Sequence, residues 1–572
     1  MRFSLALIAP FALALAACAE SPVAPQLAAP AVVATGAVSS ADPRATAAGE
    51  AMLAQGGSAT DAAIAVMLAL TVVEPQSSGI GGGGFMLYAD GATGALLTID
   101  GRETAPASAT PTRFLDADGK VLARDVRVFS GLSVGIPGNI ALAAKAHAEH
   151  GKLPWAKLFE PAIALARDGF VMNRRLNESL SQNKGRADRD SEARRVFFGP
   201  DGEALPVGAL VRNPDLAGTL TDLAKEGPEA MYGRNAASLA RWVAEATPQD
   251  GSMTEADVRA YVAKQREPVC APYRVYRVCG MGPPSSGGVA VAQMLGQLER
   301  FDLSALGPQN PTFWHLFVES QRVAYADREL YSGDADFVDV PVAGLVNAGY
   351  IASRSALISP DTTLGKVEAG VPPGAPLARG DGPEEPENGT THFAVTDAAG
   401  NAVSYTSTVE GAFGSGLFYG GFYLNNELTD FTLTPEENGK PVANRVEGGK
   451  RPRSSMAPTI VYDADGRIVL VIGAAGGPTI PVQVARSIIG VLDFGMSAPD
   501  ALGMPFVMSF GDVVVVEPET APPGLVDALK ALGHATVRDA SPPLKANALR
   551  RLTDGSWEVA VDPRLKGKLD YE

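Results

Sequence analysis

Apolar and polar residues alternate in two short runs, Thr390-Thr391-His392-Phe393-Ala394-Val395-Thr396-Asp397 and Ala402-Val403-Ser404-Tyr405-Thr406-Ser407-Thr408-Val409, either side of Gly400-Asn401. Period-two runs about a Gly/Asn turn predict a β-hairpin. A register symmetric about Ala399 sets Thr390 directly opposite Thr408, whereas a slip of one residue turns Thr408 to the other face. Upstream, 379–389 is acidic and rich in Gly and Pro, which predicts an exposed segment that the strand abruptly ends. Residues 44–73 predict two helices parted at Gly56-Gly57. Ser58 caps the second, which is apolar on nearly every side and so belongs in an interior layer. A strand at Phe85-Met86-Leu87-Tyr88 follows. From 139 to about 265 the spacing is mainly helical; strand character runs through Val269–Met281, and helices return at Val289–Leu298 and Thr312–Leu330. Val469–Ile472 reads as a buried strand that runs out into glycines, and 493–572 alternates strand and helix signals. The pattern is α+β.

Composition changes the picture mainly at the start of the chain. Residues 1–17 carry Arg2 and an apolar run to Leu15, an export signal shorter than the roughly 20 residues a membrane crossing needs. Leu15-Ala16-Ala17-Cys18 resembles a bacterial lipobox, which makes Cys18 a lipidation candidate; the other reading is ordinary signal cleavage beside an incidental Cys. Residues 18–43, rich in Ala, Pro, Val and Ser, predict a tether. The expected location is the periplasm, with or without a lipid anchor to the membrane. A formal charge of −16 argues against nucleic acid. Cys270 and Cys279 sit in a plausible hairpin, where they form either a disulfide or two buried thiols. Five histidines form no convincing metal set, and neither a metal nor a cofactor is expected.

Several stretches carry chemistry with competing readings. Gly79, Gly81 and Gly84 fit G-x-G-x-x-G, but a helix precedes and a strand follows, the reverse of a dinucleotide site, so close packing is the better reading. Gly131-Leu132-Ser133-Val134-Gly135 fits a nucleophile elbow, yet Pro137-Gly138 stands where its helix should begin. Arg102 leaves a strand, where it either holds a carboxylate bidentately or pairs with Glu103 at the surface. Glu427 and Asp430 come together if their segment turns helically, and a substrate ammonium is then a natural tenant. Gly476-Gly477 alone is a tight turn.

Thr-Thr-His-Phe-x-Val-x-Asp with Gly-Asn-Ala-Val resembles the self-cleavage site of the γ-glutamyltranspeptidases, N-terminal-nucleophile hydrolases. The resemblance extends from about Gly36 to Thr479 through Ser-Gly-Ile-Gly-Gly-Gly-Gly-Phe, Arg-Glu-x-Ala-Pro, Ser-Gly-Leu-Ser-Val-Gly-x-Pro-Gly, Pro-Pro-Ser-Ser-Gly-Gly, Ala-Tyr-Ala-Asp-Arg and Lys-Arg-Pro-x-Ser-Ser-Met-x-Pro, in order. It implies a four-layer αββα sandwich built jointly by a large subunit, 44–389, and a small catalytic one, 390–572, after cleavage at Gly389–Thr390. Thr390 becomes the nucleophile and its freed amine the base, with an ordinary pKa of about 7.7–8.0. Thr408 orients it, and Gly476 and Gly477 form the oxyanion hole. Arg102, Ser454 and Ser455 hold a substrate α-carboxylate, and Glu427 and Asp430 its α-amine. Glu410 stands where many members carry Asn, so its contact stays open. The family's lid usually has a Tyr, and 435–449 has no aromatic residue. The implied partners are γ-glutamyl compounds such as glutathione, with water, an amino acid or a peptide as acceptor. A glutaryl-type acylase of the same family and an unprocessed γ-glutamyl-binding lipoprotein are the alternatives.

Overall fold

The computed structural model describes Met1 and residues 36–571, except 250, 377–379, 381, 383–388 and 543. The expected signal, Cys18 and most of the acidic segment before Gly389 lie outside the described residues. Among those described, no helix is long and apolar enough to cross a membrane.

Two six-stranded sheets organise the chain. The first runs Gly36–Ser39, Gly389–Asp397, Ala402–Glu410, Gly83–Ala89, Leu96–Gly101 and Lys264–Arg266 in spatial order, all adjacent pairs antiparallel. The second runs Trp557–Val561, Lys545–Arg551, Ile468–Ala475, Thr459–Tyr462, Tyr276–Gly280 and Val269–Tyr273. Each sheet therefore contains strands from both sides of Gly389–Thr390. The tether expected over 18–43 ends too late: Gly36–Ser39 is an edge strand paired with Ala394–Asp397, and the first helix starts at Pro43. Its four residues are too few for period-two alternation to stand out from the Ala/Val-rich run before them.

Side-chain alternation explains the layering. Phe393, Val395, Val403 and Tyr405 point into one core with the helices Pro43–Ala54, Ala59–Val73 and Asn139–His150. Phe85, Leu87, Ala394 and Ala402 point into the other, shared with the second sheet and with the helices Gly287–Leu298, Pro311–Tyr331 and Ile480–Leu492. Every residue of Ala59–Val73 is buried, and Ser58 and Asp61 close a reciprocal capping box at its start. Hydroxyls and amides join the facing sheets: Ser404 Oγ donates to Ile472 O at 3.2 Å and accepts from Thr459 N at 3.0 Å. Asn547 Nδ2 donates to His392 O at 2.8 Å.

Cys270 and Cys279 are directly opposite in their hairpin and form a disulfide. His315 and His534, 219 residues apart, meet in the core with Nδ1 and Nε2 2.8 Å apart, and Glu319 lies beside them. The three are close enough to share a cation, but Glu319 already accepts from Arg322, Thr363 Oγ1 and the Leu364 amide. They form a hydrogen-bonded network tying the helix Pro311–Tyr331 to the C-terminal region.

Candidate active site

The hairpin register pairs Thr390 with Thr408. Thr390 Oγ1 donates to Thr408 Oγ1 at 3.3 Å, and Thr408 Oγ1 donates to the Gly389 carbonyl at 2.6 Å while accepting from Glu410 N at 2.7 Å. One hydroxyl thus bridges the Thr390 side chain and the peptide carbonyl before it. The ladder bulges just after Thr408, and Glu410 takes a left-handed φ of 76°. Strain of this kind in a non-glycine residue gathers at functional sites. The glycine-rich segment supports the arrangement from behind: a Cβ at Gly82 would lie 1.9 Å from Thr408 O, so only glycine admits this approach. The segment does pack, as its order in the sequence implied.

Arg102, at the end of Leu96–Gly101, is 1% exposed. Glu427–Asp430 forms a single 3₁₀ turn that brings its two acids together. The Arg102 guanidinium bonds both carboxylates and also donates to Arg453 O at 3.0 Å. The surface-pair reading of Arg102 and Glu103 fails, because both are buried.

Glu103 was not expected to matter. Both of its carboxylate oxygens, and Oε2 of Glu427, are buried without a partner among the described residues if each acid is only an acceptor. The two side chains are hydrogen-bonded once one carries a proton, and burial pushes both acids up, Glu103 to about 7. A carboxyl–carboxylate pair sharing one proton beside Arg102 satisfies two of these three oxygens. A value raised in the folded state contributes stability that is fully present below the ordinary carboxyl range and lost as pH rises through about 7. Glu103→Gln keeps the protonated shape, so urea unfolding at pH 5 and pH 8 should show a fall in stability in the parent that the variant largely lacks. Equal falls in both proteins would exclude the shared proton.

Ser454 and Ser455 reach the same cleft from the other side. Ser455 Oγ accepts from Arg328 at 2.6 Å, and Arg328 also donates to Ser286 Oγ at 2.9 Å, while Ser286 Oγ donates to Ser454 O at 2.8 Å. Three stretches far apart in sequence therefore lock together, and Arg328 is a positioning residue that sequence left without a role. Asn444 is another: it donates to Asp430 O at 2.6 Å and accepts from Arg453 N at 2.8 Å. The segment around it carries a small exposed hairpin, Glu436–Glu437 with Lys440–Pro441. Ser133 Oγ is fully buried and donates to the Val128 or Ser130 carbonyl, so its hydroxyl is spent on structure. His392 is also buried; burial pushes it down to about 3, so it is neutral and cannot serve as a cation near Thr390.

Two cavities meet at Thr390. A narrow one, with room for about 20 Å³, is walled by Arg102, Thr408, Glu427, Asp430, Ser455 and Gly477, with Glu410 and Ser454 also on it. A wider one of about 410 Å³ lies on the other side of Thr390 and includes Gly476. Gly476 and Gly477, with φ of 126° and 56°, make the turn between them at the end of Ile468–Ala475, in a conformation other residues rarely adopt. The structure thus brings Thr390, Thr408, Arg102, Glu410, Glu427, Asp430, Ser454, Ser455, Gly476 and Gly477 to one place.

The mixed sheets and helices around this cleft define the architecture of the N-terminal-nucleophile-type transpeptidases and acylases. Cephalosporin acylase from Bacillus halodurans superposes with a TM-score of 0.82 at 26% identity, over 95% of this chain and 97% of that one. The chain belongs to the Gamma-glutamyltranspeptidase family, whose profile matches residues 45–571. The glutathione hydrolase proenzyme of Bacillus subtilis (strain 168) is 38% identical over 510 residues, 87% of this chain and 85% of the relative. The acylase ACY 1 proenzyme of Pseudomonas sp. (strain V22) is 35% identical over 548 residues, 94% of each.

Proposed function

We propose that the chain is an exported, self-processing γ-glutamyltransferase and glutathione hydrolase. The observation that carries this reading is the position of Thr390, bonded to Thr408 and exposed to a cleft that holds one guanidinium and two carboxylates. In the precursor, Thr390 Oγ1 attacks the Gly389 carbonyl carbon while the Thr408 hydroxyl, already on that carbonyl oxygen, steadies the charge that develops there. The C–N bond breaks as the amide nitrogen takes a proton, and water hydrolyses the resulting ester. This frees the Thr390 amine and leaves two fragments, 44–389 and 390–572, in one four-layer αββα sandwich.

In the processed enzyme the amine accepts the Thr390 hydroxyl proton as Oγ1 attacks the γ-carbonyl of the substrate. The amides of Gly476 and Gly477 receive the oxyanion, one such donor being worth about 2.7–4 kcal/mol. The leaving amine takes the proton, and water or an amino acid or peptide then resolves the ester. A free α-carboxylate and α-ammonium on the γ-glutamyl group offer partners to Arg102 and to Glu427 and Asp430. With room for about 20 Å³, roughly one water, the cleft must open these ion pairs to admit that group. Zwitterion binding is therefore an exchange of partners within a compensated cluster, which limits its desolvation cost. The Leu15-Ala16-Ala17-Cys18 pattern supports export and lipid tethering.

The acylase reading differs at one group, since a glutaryl chain has no α-ammonium. Two acids on Arg102, the buried Glu427 and the part-exposed Asp430, favour the γ-glutamyl donor. The purified protein should hydrolyse γ-glutamyl-4-nitroanilide at least about a hundredfold faster, in kcat/KM, than glutaryl-4-nitroanilide, because the second leaves charged groups unmatched. A preference for the glutaryl compound would replace this reading by the acylase.

A further inference from the structure

The turn that carries Gly476 and Gly477 is held at each of its carbonyls. Gln483 Nε2 donates to Ala475 O at 2.8 Å and to Thr479 Oγ1 at 2.9 Å, and Thr479 Oγ1 donates in turn to Gly476 O at 2.9 Å. The Thr479 amide bonds Gly476 O as well, at 3.2 Å. Gly477 O accepts from the Ile480 amide and Pro478 O from the Tyr325 hydroxyl. Ala475 O can only accept, so the nitrogen of the Gln483 side chain must face it, and this fixes the direction of the whole relay. Gln483 is fully buried in the first turn of Ile480–Leu492, and its Oε1 has no partner among the described residues. An apolar residue of similar length would avoid that cost, so stability alone does not explain an amide here.

A trans peptide unit is planar, with its C=O and the next residue's N–H pointing in opposite directions. The Ala475 carbonyl therefore shares its plane with the Gly476 N–H, and the Gly476 carbonyl with the Gly477 N–H. These N–H groups are the two donors assigned to the oxyanion. Holding the two carbonyls fixes both N–H directions, and a hydrogen bond accepted at C=O makes the N–H of the same unit a better donor. The following unit has no N–H to compete, because its nitrogen belongs to Pro478. Without such a hold each unit could turn over, since glycine takes φ of either sign about equally well. A Cβ at Gly476 would lie 2.5 Å from Thr479 Oγ1, so the hydroxyl sits hard against the turn. We infer that Gln483, directly and through Thr479, is a positioning residue that locks the Gly476 and Gly477 amides toward the substrate oxyanion. The inference rests on the γ-glutamyl reading of the site. It also separates the two reactions of Thr390. In self-cleavage the Gly389 carbonyl is held by the Thr408 hydroxyl, so the lock serves substrate turnover alone.

The test compares turnover with self-cleavage in full-length variants. Gln483→Met and Thr479→Val each remove one link of the relay while nearly keeping its shape. Both should lose about 10–100-fold in kcat for γ-glutamyl-4-nitroanilide, the scale of a misaligned catalytic donor. KM should stay within about twofold of the parent's, because the hole acts on the transition state. Formation and breakdown of the ester both pass through an oxyanion at these amides, so kcat falls whichever step is slower. The uncut chain, followed by intact mass after cell-free synthesis, should disappear at the parent's rate in both variants. Thr479→Ser keeps the hydroxyl and should recover most of the parent's kcat. A loss of kcat matched by an equal slowing of self-cleavage would reduce these contacts to a structural role and overturn the inference. So would unchanged kcat in both Gln483→Met and Thr479→Val, or a Thr479→Ser variant as poor as Thr479→Val. A processed parent that does not cleave the anilide removes the γ-glutamyl reading, and the inference with it.

Discussion

Replacing Thr390 by alanine should give a single uncut chain where the parent gives two fragments divided at Gly389–Thr390, as read by intact mass under denaturing conditions. The same variant should lose γ-glutamyl amide cleavage by about 10⁴-fold or more, because nucleophile and base come from one residue and removing either disables the unit. Thr390→Ser is the informative partner. It keeps the hydroxyl and the future amine, so it should still process, more slowly, and retain part of the activity. Alanine removes a small hydroxyl bonded only to Thr408 among the described residues, so the fold should survive and circular dichroism should match the parent. A parent chain that stays whole would leave the fold standing and remove Thr390 from the chemistry.

Replacing Arg102 by methionine should be nearly as damaging for a different reason. The guanidinium is the cation that holds Glu427 and Asp430, and Glu103 sits beside it with a proton shared toward Glu427. Without it, buried acids must ionise unpaired or take up protons, and breaking a buried pair from one side costs about 3–5 kcal/mol. Thermal unfolding should fall accordingly, by several degrees for a chain of this size. In activity, kcat/KM should drop by about 10³-fold or more through the loss of the α-carboxylate partner. Arg102→Lys restores charge without the fork; it should recover most of the stability and little of the activity. Full recovery of both by lysine would mean that a point charge suffices and that the bidentate role is wrong.

What the sequence made legible was local or periodic. The alternation around Gly400-Asn401 predicted the hairpin and left two registers open; the folded register is the symmetric one, with Thr390 against Thr408. Ser58 announced its helix, and the spacing of Glu427 and Asp430 announced their shared turn. The residues left without a role act across long separations. Arg328 reaches Ser455 over 127 positions, and Asn547 reaches His392 over 155. No periodic pattern encodes such a meeting. Glu103 has no role in the sequence beyond a possible surface pair with Arg102, because the burial that raises it depends on the turn Glu427–Asp430, more than 300 residues away. Gly36–Ser39 merged with the Ala/Pro-rich run before it, since four residues of an edge strand carry too little pattern to stand apart.

The shared make-up of both sheets has a consequence for how this molecule can be made. Each sheet takes strands from before and after Gly389–Thr390, so neither segment has a complete sheet of its own. Under the proposed self-cleavage, folding must therefore precede the cut, while the connecting peptide still supplies the high effective concentration that brings distant strands into register. Once the peptide is severed, the folded arrangement preserves information that the separated pieces no longer encode. A processed sample unfolded in denaturant and diluted back should regain little activity, whereas the uncut Thr390→Ala chain should refold. If the chain cuts itself as proposed, the cut acts as a ratchet: persistence of the processed protein is then a matter of how slowly it comes apart, not of an equilibrium it can revisit.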